Sequence, residues 1–230
     1  GSELAGLAGG GAGGWPAPAA MGGGRARAGA RAAGGALAAW VCAVFLPAGT
    51  LFALHPALMA VGFGVLFAEG VFAAVGLRSV AGKDRVPAIQ YHMAVSGAAV
   101  LCVLLGFYAI YANKNRSEKP HFVSWHGLGG LATVALMVGS HAGGVFSFRA
   151  LGFMPLLPDF LQTRIKGIHR LAGSVTFLGG CASLVSGFLR PNMARGGTTW
   201  AWVALTLINL ALFVRAVLAP RSSAGKPIII

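Results

Sequence analysis

The chain has 230 residues, of which 56% are hydrophobic and only 10% are charged, and its mean hydropathy is +0.74. Soluble domains carry about 25% charged residues, so the composition excludes an ordinary soluble domain and indicates an integral membrane protein. The net charge of +13 does not indicate a nucleic-acid partner. The basic residues lie in predicted loops, as the positive-inside rule expects of a membrane protein.

Six apolar segments follow one another along the chain, separated by short loops. The first is the weakest because Pro47 and Gly49 interrupt it, and the others reach or approach the roughly 20 residues that a spanning helix needs. These segments predict helices 1 to 6, at about Ala32–Leu54, Pro56–Leu77, Ile89–Tyr111, Val123–Phe148, Ile168–Leu189 and Thr199–Leu218. The sequence therefore predicts an all-α membrane protein with six transmembrane helices in one domain, residues 25–219.

The two ends of the chain differ from this domain. Residues 1–24 are rich in Gly and Ala without helical periodicity, which predicts disorder. A signal peptide is the alternative, but the first convincing apolar run starts only after Arg25, Arg27 and Arg31, and we interpret that run as a retained helix 1. Residues 220–230 are predicted to form a cytoplasmic tail.

The basic residues predict how the helices cross the membrane. With six spans, thirteen of the eighteen Lys and Arg residues fall on the side of the two termini, and five fall on the other side. Because cytoplasmic loops carry the excess of basic residues, we expect both termini to be cytoplasmic. Helices 1, 3 and 5 then run outward. We expect the membrane to be the plasma membrane or an endomembrane of the ER, an endosome or a vacuole.

Four histidines, one on each of helices 2 to 5, stand at or just before the start of their apolar segments. They are His55, His92, His126 and His169. Imidazole is costly in a membrane interior without a partner, and it is a standard axial ligand of haem iron. Alternating helix direction places His55 with His126 near the outer face and His92 with His169 near the cytoplasmic face. Two pairs predict two haems, held in a four-helix core of helices 2 to 5.

Two other residues stand inside apolar segments. His141 lies fifteen residues after His126 on helix 4, a spacing by which quinol-oxidising b cytochromes bind two haems. That scheme needs a second helix with the same pattern, and none is found, so we expect His141 to be a structural, interfacial residue. Glu69 is the only acid well inside a span, and such residues are functional candidates. It could handle protons or bind a haem propionate or a buried side chain.

These residues leave two alternatives open. The chain could be a quinol-linked b-type cytochrome, which would use a different substrate. It could also be a small transporter or scaffold without haem, in which the histidines are interfacial residues. No C-x-x-C-H motif is present, so covalently attached haem is not expected.

Local motifs around the histidines resemble the cytochrome b561 family, and within it the cytochrome b561 domain-containing proteins. The motifs are Leu54-His55-Pro56-Ala57-Leu58-Met59, Tyr91-His92, Ser124-Trp125-His126-Gly127, Ile168-His169-Arg170-Leu171-Ala172-Gly173-Ser174 and the loop sequence Lys119-Pro120-His121-Phe122. The resemblance implies a transmembrane ascorbate-dependent oxidoreductase with two b-type haems. Such a protein passes electrons from cytoplasmic ascorbate to monodehydroascorbate or ferric chelates on the opposite side. A homodimer and a peripheral helix 1 are also implied.

The resemblance further implies residues that bind ascorbate at the cytoplasmic face. Arg164 and Lys166 match basic positions that hold the ascorbate anion and help to manage its proton, and Lys83 and Arg85 are similar candidates. Ordinary positive-inside charge explains all four residues as well. Better-known members carry a lysine two residues before the helix-3 histidine, where this chain has Gln90.

On the other side, His121 resembles a loop histidine near the outer substrate site. It could receive monodehydroascorbate or position ferric iron, and a solvated loop histidine is the competing interpretation. His121, Arg164 and Lys166 are thus the candidate catalytic residues.

Overall fold

The computed structural model describes residues 24–148, 151–193 and 195–219, which form six long helices and no strand. The expectations for residues 1–23 and 220–230 lie outside this part. All six helices are long and apolar enough to cross a membrane, so the predicted fold class is confirmed. The helices are α1 Gly24–Phe45, α2 Leu51–Gly76, α3 Arg85–Arg116, α4 Trp125–Ser147, α5 Asp159–Phe188 and α6 Gly197–Leu218.

Several helices extend beyond their apolar segments. Helix α3 begins at Arg85 and α5 begins at Asp159, so His92 lies about two turns and His169 about three turns inside its helix. Hydropathy marks only the part of a helix that suits the hydrocarbon layer. The polar first turns can lie outside that layer, where water satisfies the backbone N–H groups that have no partner within the helix.

The predicted bounds of helix 1 are wrong. Helix α1 ends at Phe45, and a short 3-10 turn leads to Gly49, which adopts a left-handed conformation with φ of 62°. Pro47 lacks a backbone donor, and glycine tolerates this conformation, so the two residues end the helix. Arg25, Arg27 and Arg31, expected before the helix, lie in its first turns instead.

Helix α2 begins anew at Leu51. The Thr50 hydroxyl oxygen accepts the Ala53 N–H at 3.2 Å and caps the helix. Its middle, Ala60–Phe67, is a π-helix. In this segment the Gly64 carbonyl oxygen accepts a hydrogen bond from Asn209 Nδ2 of α6 at 3.1 Å.

Helix α1 packs closely on this π-helical segment. At Gly34, a Cβ atom would lie only 2.0 Å from the Gly64 carbonyl oxygen. The helices α1, α2 and α6 therefore meet around one backbone carbonyl, although α1 lies outside the predicted core of helices 2 to 5 and, among the described residues, lines neither histidine cavity.

Replacing Gly34 with alanine is expected to destabilise the protein by about 1–3 kcal/mol, the usual cost of overpacking. The new methyl group meets backbone, which cannot rotate away. Thermal unfolding of the detergent-solubilised protein measures the effect. Gly35→Ala is the matched control, because a Cβ there meets nothing within 4 Å. Equal melting temperatures for the two variants would contradict the packing described here.

Three further contacts hold the bundle together. Helix α2 packs on α3, α4 packs on α5, and Trp202 of α6 is buried against Phe45 and Phe188. Large apolar side chains, such as Leu101 and Leu207, are exposed on the outside of the bundle, which is the surface expected to face lipid. Among the described residues, one cavity contains His55 and His126, and another contains His92 and His169.

Candidate cofactor sites

One cavity contains His55 of α2 and His126 of α4. Their ring centroids are 6.3 Å apart, and the ring planes are inclined by 77°. The other cavity contains His92 of α3 and His169 of α5, with centroids 6.0 Å apart and planes inclined by 73°. These are the two pairs that alternating helix direction predicts. We name the cavities the His55 cavity and the His92 cavity.

Three of the four imidazoles are anchored to a backbone carbonyl of a neighbouring helix. Because a carbonyl oxygen only accepts, each Nδ1 must carry the proton, and each Nε2 is left with its lone pair. The three bonds run from Nδ1 of His55 to Gly106 at 3.0 Å, from Nδ1 of His92 to Gly70 at 2.8 Å and from Nδ1 of His169 to Ser140 at 2.8 Å.

The fourth imidazole is anchored through a hydroxyl group. His126 Nδ1 lies 3.1 Å from Ser186 Oγ, and the Ser186 hydroxyl donates its own proton to the Ser183 carbonyl at 3.1 Å. The serine oxygen is therefore an acceptor toward His126, and Nδ1 donates to it. All four histidines thus present an unprotonated Nε2, which is the form that binds metal.

The anchors between α2 and α3 are reciprocal. His55 of α2 binds the carbonyl of Gly106 on α3, while His92 of α3 binds the carbonyl of Gly70 on α2. A Cβ at Gly70 would lie 2.6 Å from Ser96 Oγ, and a Cβ at Gly106 would lie 3.0 Å from Leu58 Cβ. The absence of a side chain at both glycines leaves room for the two helices to come within hydrogen-bonding range.

Two other glycines leave room for the imidazole rings of His169 and His126. A Cβ at Gly144 would lie 2.8 Å from Cε1 of His169, and one at Gly187 would lie 3.0 Å from Cε1 of His126. A side chain at either position would push the imidazole away from its partner. These close contacts fix the orientation of α4 against α5 around the histidines.

The two pairs fit haem iron. Metal–imidazole bonds of about 2 Å, with each nitrogen about 1 Å from its ring centre, place two axial imidazoles about 6 Å apart, centre to centre. The observed separations are 6.3 and 6.0 Å. In the His55 cavity, Gly130 leaves open space on the α4 wall, because a Cβ there would meet nothing within 4 Å.

Basic residues line the mouth of the His92 cavity. Two of them, Arg85 and Lys166, are predicted ascorbate residues, and two more, Arg78 and Arg170, were missed. Arg170 directly follows His169, so the sequence did contain a signal for it. Arg85 is held in place because its Nη1 donates to the carbonyls of Leu77 and Val80, at 3.1 and 2.9 Å.

The other two predicted ascorbate residues lie elsewhere. Lys83 and Arg164 are exposed, and neither is among the described residues that line the His92 cavity. The same holds for Gln90. Helix rotation of about 100° per residue explains two of these positions, because Gln90 points about 160° away from His92 around α3 and Arg164 about 140° away from His169 around α5.

The loop residue His121 lines the His55 cavity, close to the site that was predicted for it. It stacks on Tyr111 with ring centroids 4.2 Å apart, and its Nε2 donates to Asn115 Oδ1 at 2.7 Å. Lys114 and Arg190, which were not predicted, line the same cavity. No Asp or Glu occurs among the described residues of this lining.

His141 was expected to be a structural, interfacial residue, and the structure places it beside the second histidine pair. It is partly buried, lines the His92 cavity with His92 and His169, and packs near Gly97 of α3, where a Cβ would lie 3.4 Å from its Cε1. Helix α4 runs from the His55 cavity, where it carries His126, to the His92 cavity, where it carries His141.

Glu69 binds three side chains. Its carboxylate accepts hydrogen bonds from Arg27, from Arg31 at 2.8 and 2.6 Å and from the Tyr91 hydroxyl at 2.7 Å. The predicted bond to a buried side chain is therefore present. The two arginines come from α1, which sequence patterns had not connected with the cofactor core.

Comparison with known proteins gives the family. Residues 54–194 match the family model described as eukaryotic cytochrome b561, and this range contains all four paired histidines. The chain belongs to the cytochrome b561 family. The predicted resemblance is thereby confirmed, and membership implies a b-type haem cofactor.

Named relatives of this cytochrome b561 protein include reductases. This chain is 32% identical over 172 residues to the transmembrane reductase CYB561D2 of Homo sapiens, which covers 73% of this chain and 74% of that protein. It is 34% identical over 152 residues to CYB561D2 of Bos taurus, which covers 64% of this chain and 65% of that protein. The lysosomal membrane ascorbate-dependent ferrireductase CYB561A3 of Bos taurus is 30% identical over 137 residues, covering 60% and 50%. The chain thus spans between half and three quarters of these relatives.

Proposed function

We propose that this protein transfers electrons across a membrane, from cytoplasmic ascorbate to monodehydroascorbate or a ferric chelate on the opposite side. The observation that carries the proposal is the state of the four histidines. All four donate through Nδ1, so that each cavity holds a close pair of imidazoles whose Nε2 lone pairs are free to bind a metal.

In this proposal each pair holds one b-type haem, so that there are two haems per chain. His92 and His169 hold the inner haem, and His55 and His126 hold the outer haem. Bound haem supplies a one-electron redox centre, and the chain tunes it through the axial ligands, their hydrogen bonds and burial. The apolar walls exclude water, and the glycines seat the imidazoles in one orientation.

The His92 cavity is the proposed ascorbate site. Ascorbate is a mono-anion at neutral pH, and Arg78, Arg85, Lys166 and Arg170 place positive charge along this lining. Arg164 and Lys83 lie outside it, where they contribute to long-range attraction of the anion. The excess of basic residues on the side of both termini supports a cytoplasmic position for this face.

The His55 cavity is the proposed acceptor site. Its polar lining combines His121 with Lys114 and Arg190, without an acidic residue among the described lining residues. A bare ferric cation would be repelled there, whereas an acceptor that carries negative charge would be attracted. This favours monodehydroascorbate or a ferric chelate, and the relative named as a ferrireductase supports the second class.

Haem quantitation combined with a reduction trace tests the function. We expect two haems per chain and a biphasic reduction by ascorbate, because one haem faces the donor and the other is reached through it. Purified protein without the α-band of reduced b-type haem would contradict any haem-based function. Reduction by a quinol but not by ascorbate would favour the quinol-linked alternative.

Replacing Lys166 with glutamine is expected to raise the ascorbate concentration that gives half-maximal reduction about fivefold. Losing one partly exposed charge pair with the anion costs roughly 1 kcal/mol. Stopped-flow reduction at a series of ascorbate concentrations measures the effect, which should weaken at high salt. Arg215→Gln, an exposed change near the end of α6, is the matched control. Equal shifts in both variants would indicate a general surface-charge effect rather than a binding site.

A further inference from the structure

A buried charged cluster connects α1, α2 and α3. It consists of Arg27, Arg31, Glu69 and Tyr91, and we name it the Glu69 cluster. Arg27 is 3% exposed and the Glu69 side chain 11%, whereas the Arg31 side chain is 42% exposed. Arg27 also lies over the Tyr91 ring, 5.7 Å from its centroid. Charges are costly in a membrane interior unless they are paired, so this cluster requires an explanation.

The Glu69 cluster is joined to the anchor of His92 at two points. Glu69 directly precedes Gly70, whose carbonyl accepts the His92 Nδ1 proton at 2.8 Å. Tyr91, which donates to Glu69 at 2.7 Å, directly precedes His92 itself. The donor and the acceptor of the anchoring bond are thus each next in sequence to a member of the cluster.

The His55 anchor has no such support. Its acceptor carbonyl belongs to Gly106, which stands between Leu105 and Phe107, two apolar residues. The two proposed haem sites therefore differ in charge close to an axial ligand. At the His92 site, one carboxylate and two guanidinium groups lie beside the ligand's anchoring bond.

This difference has a direct consequence for redox chemistry. A negative charge near a redox centre opposes the arrival of an electron, and a positive charge favours it, most strongly where water is excluded. A firm Nδ1–H bond also makes an imidazole a stronger donor to its metal. A change in the Glu69 cluster should therefore shift the potential of one haem and not of the other.

We propose that Glu69 is a positioning residue for His92, and that the charges of the Glu69 cluster set the reduction potential of the inner haem independently of the outer haem. This proposal rests on the proposed function, since it requires two haems. It assigns to α1 a part in the redox centre, because α1 supplies the two arginines.

Redox titration of the purified holoprotein, followed by absorption, tests this proposal with variants of opposite charge change. Glu69→Gln removes the negative charge and weakens the hydrogen bond that anchors His92. The inner haem should therefore bind its electron about tenfold more tightly, which raises its reduction potential by about 59 mV. Arg31→Gln removes a positive charge while Arg27 still holds the carboxylate, so the potential should fall. Because Arg31 is partly exposed, we expect the inner haem to bind its electron only about threefold more weakly, which lowers its reduction potential by roughly 28 mV.

Asp84→Asn is the matched control, because it removes one negative charge from an exposed residue at the start of α3, on the same side of the bundle. It should leave both potentials unchanged, and the outer haem should stay unchanged in all three variants. The inner step is assigned as the one that disappears in His169→Ala.

Shifts of the same sign in Glu69→Gln and Arg31→Gln, or equal shifts of both haems, would overturn the proposal, since a merely structural disturbance would produce them. If Glu69→Gln does not fold, Arg31→Gln decides alone: a fall confined to the inner haem supports the proposal, and no shift overturns it. A wild-type protein without two redox steps would overturn the proposed function itself. Two steps without opposite shifts would overturn only this inference.

Discussion

His169→Ala is expected to leave one haem per chain instead of two and to abolish fast reduction by ascorbate. The substitution removes one imidazole of the close pair in the His92 cavity and leaves His92 without its partner ring. The pair at the other end, His55 and His126, keeps both anchors and should retain its haem. Haem content by the pyridine haemochrome method and a stopped-flow trace measure the two effects.

His141→Ala provides the control for this experiment. His141 lines the same cavity, but no second histidine forms a close ring pair with it among the described residues. The variant should therefore keep both haems and the fast phase. If it lost a haem while His169→Ala kept two, His141 rather than His169 would be the axial ligand. The pairing proposed here would then be wrong.

His126→Ala is expected to separate reduction by ascorbate from electron transfer to the outside acceptor. The variant should lose the outer haem and keep the inner one, because His92 and His169 lie at the opposite end of the bundle. Ascorbate should still reduce the remaining haem rapidly, but no electrons should reach an acceptor across the membrane. Vesicles loaded with ascorbate, with a ferric chelate added outside, measure both steps in one preparation.

His121→Ala is the matched control for that experiment. His121 lines the His55 cavity and binds Asn115, but its ring stacks on Tyr111 rather than facing an axial partner. Both haems should remain and be reduced by ascorbate at the normal rate, while transfer to the outside acceptor becomes slower. Continued transfer across the membrane in His126→Ala would refute the assignment of the outer haem.

The anchoring pattern explains why single substitutions can be expected to act on one site at a time. His55 of α2 and His92 of α3 each donate to a glycine carbonyl on the other's helix, and His126 and His169 donate to serines on each other's helices. Each proposed haem site would take one ligand from the α2–α3 pair and one from the α4–α5 pair. Losing one imidazole breaks one anchor but leaves the close glycine contacts that hold each helix pair together.

Much of this arrangement could be predicted from local patterns. Hydropathy identified six spans, since a spanning helix must keep about 20 apolar residues in the hydrocarbon layer. Alternating direction then placed His55 near His126 and His92 near His169 without any knowledge of packing. The bounds of α1 were missed because its first turns carry arginines, which lower the local hydropathy although Arg27 is buried in the bundle.

By itself, the sequence determined the number of helices, their order and which histidines lie at the same end of the bundle, because these follow from composition and from alternating helix direction. It also contained the directions of Lys166 and Arg164, which lie about 60° and about 140° around α5 from His169. Only the tertiary structure decided which helix faces meet. It brought Glu69 to Arg27 and Arg31, which are about 40 residues away in sequence. These contacts depend on how helices rotate and approach one another, which the close contacts at Gly34, Gly70, Gly144 and Gly187 fix.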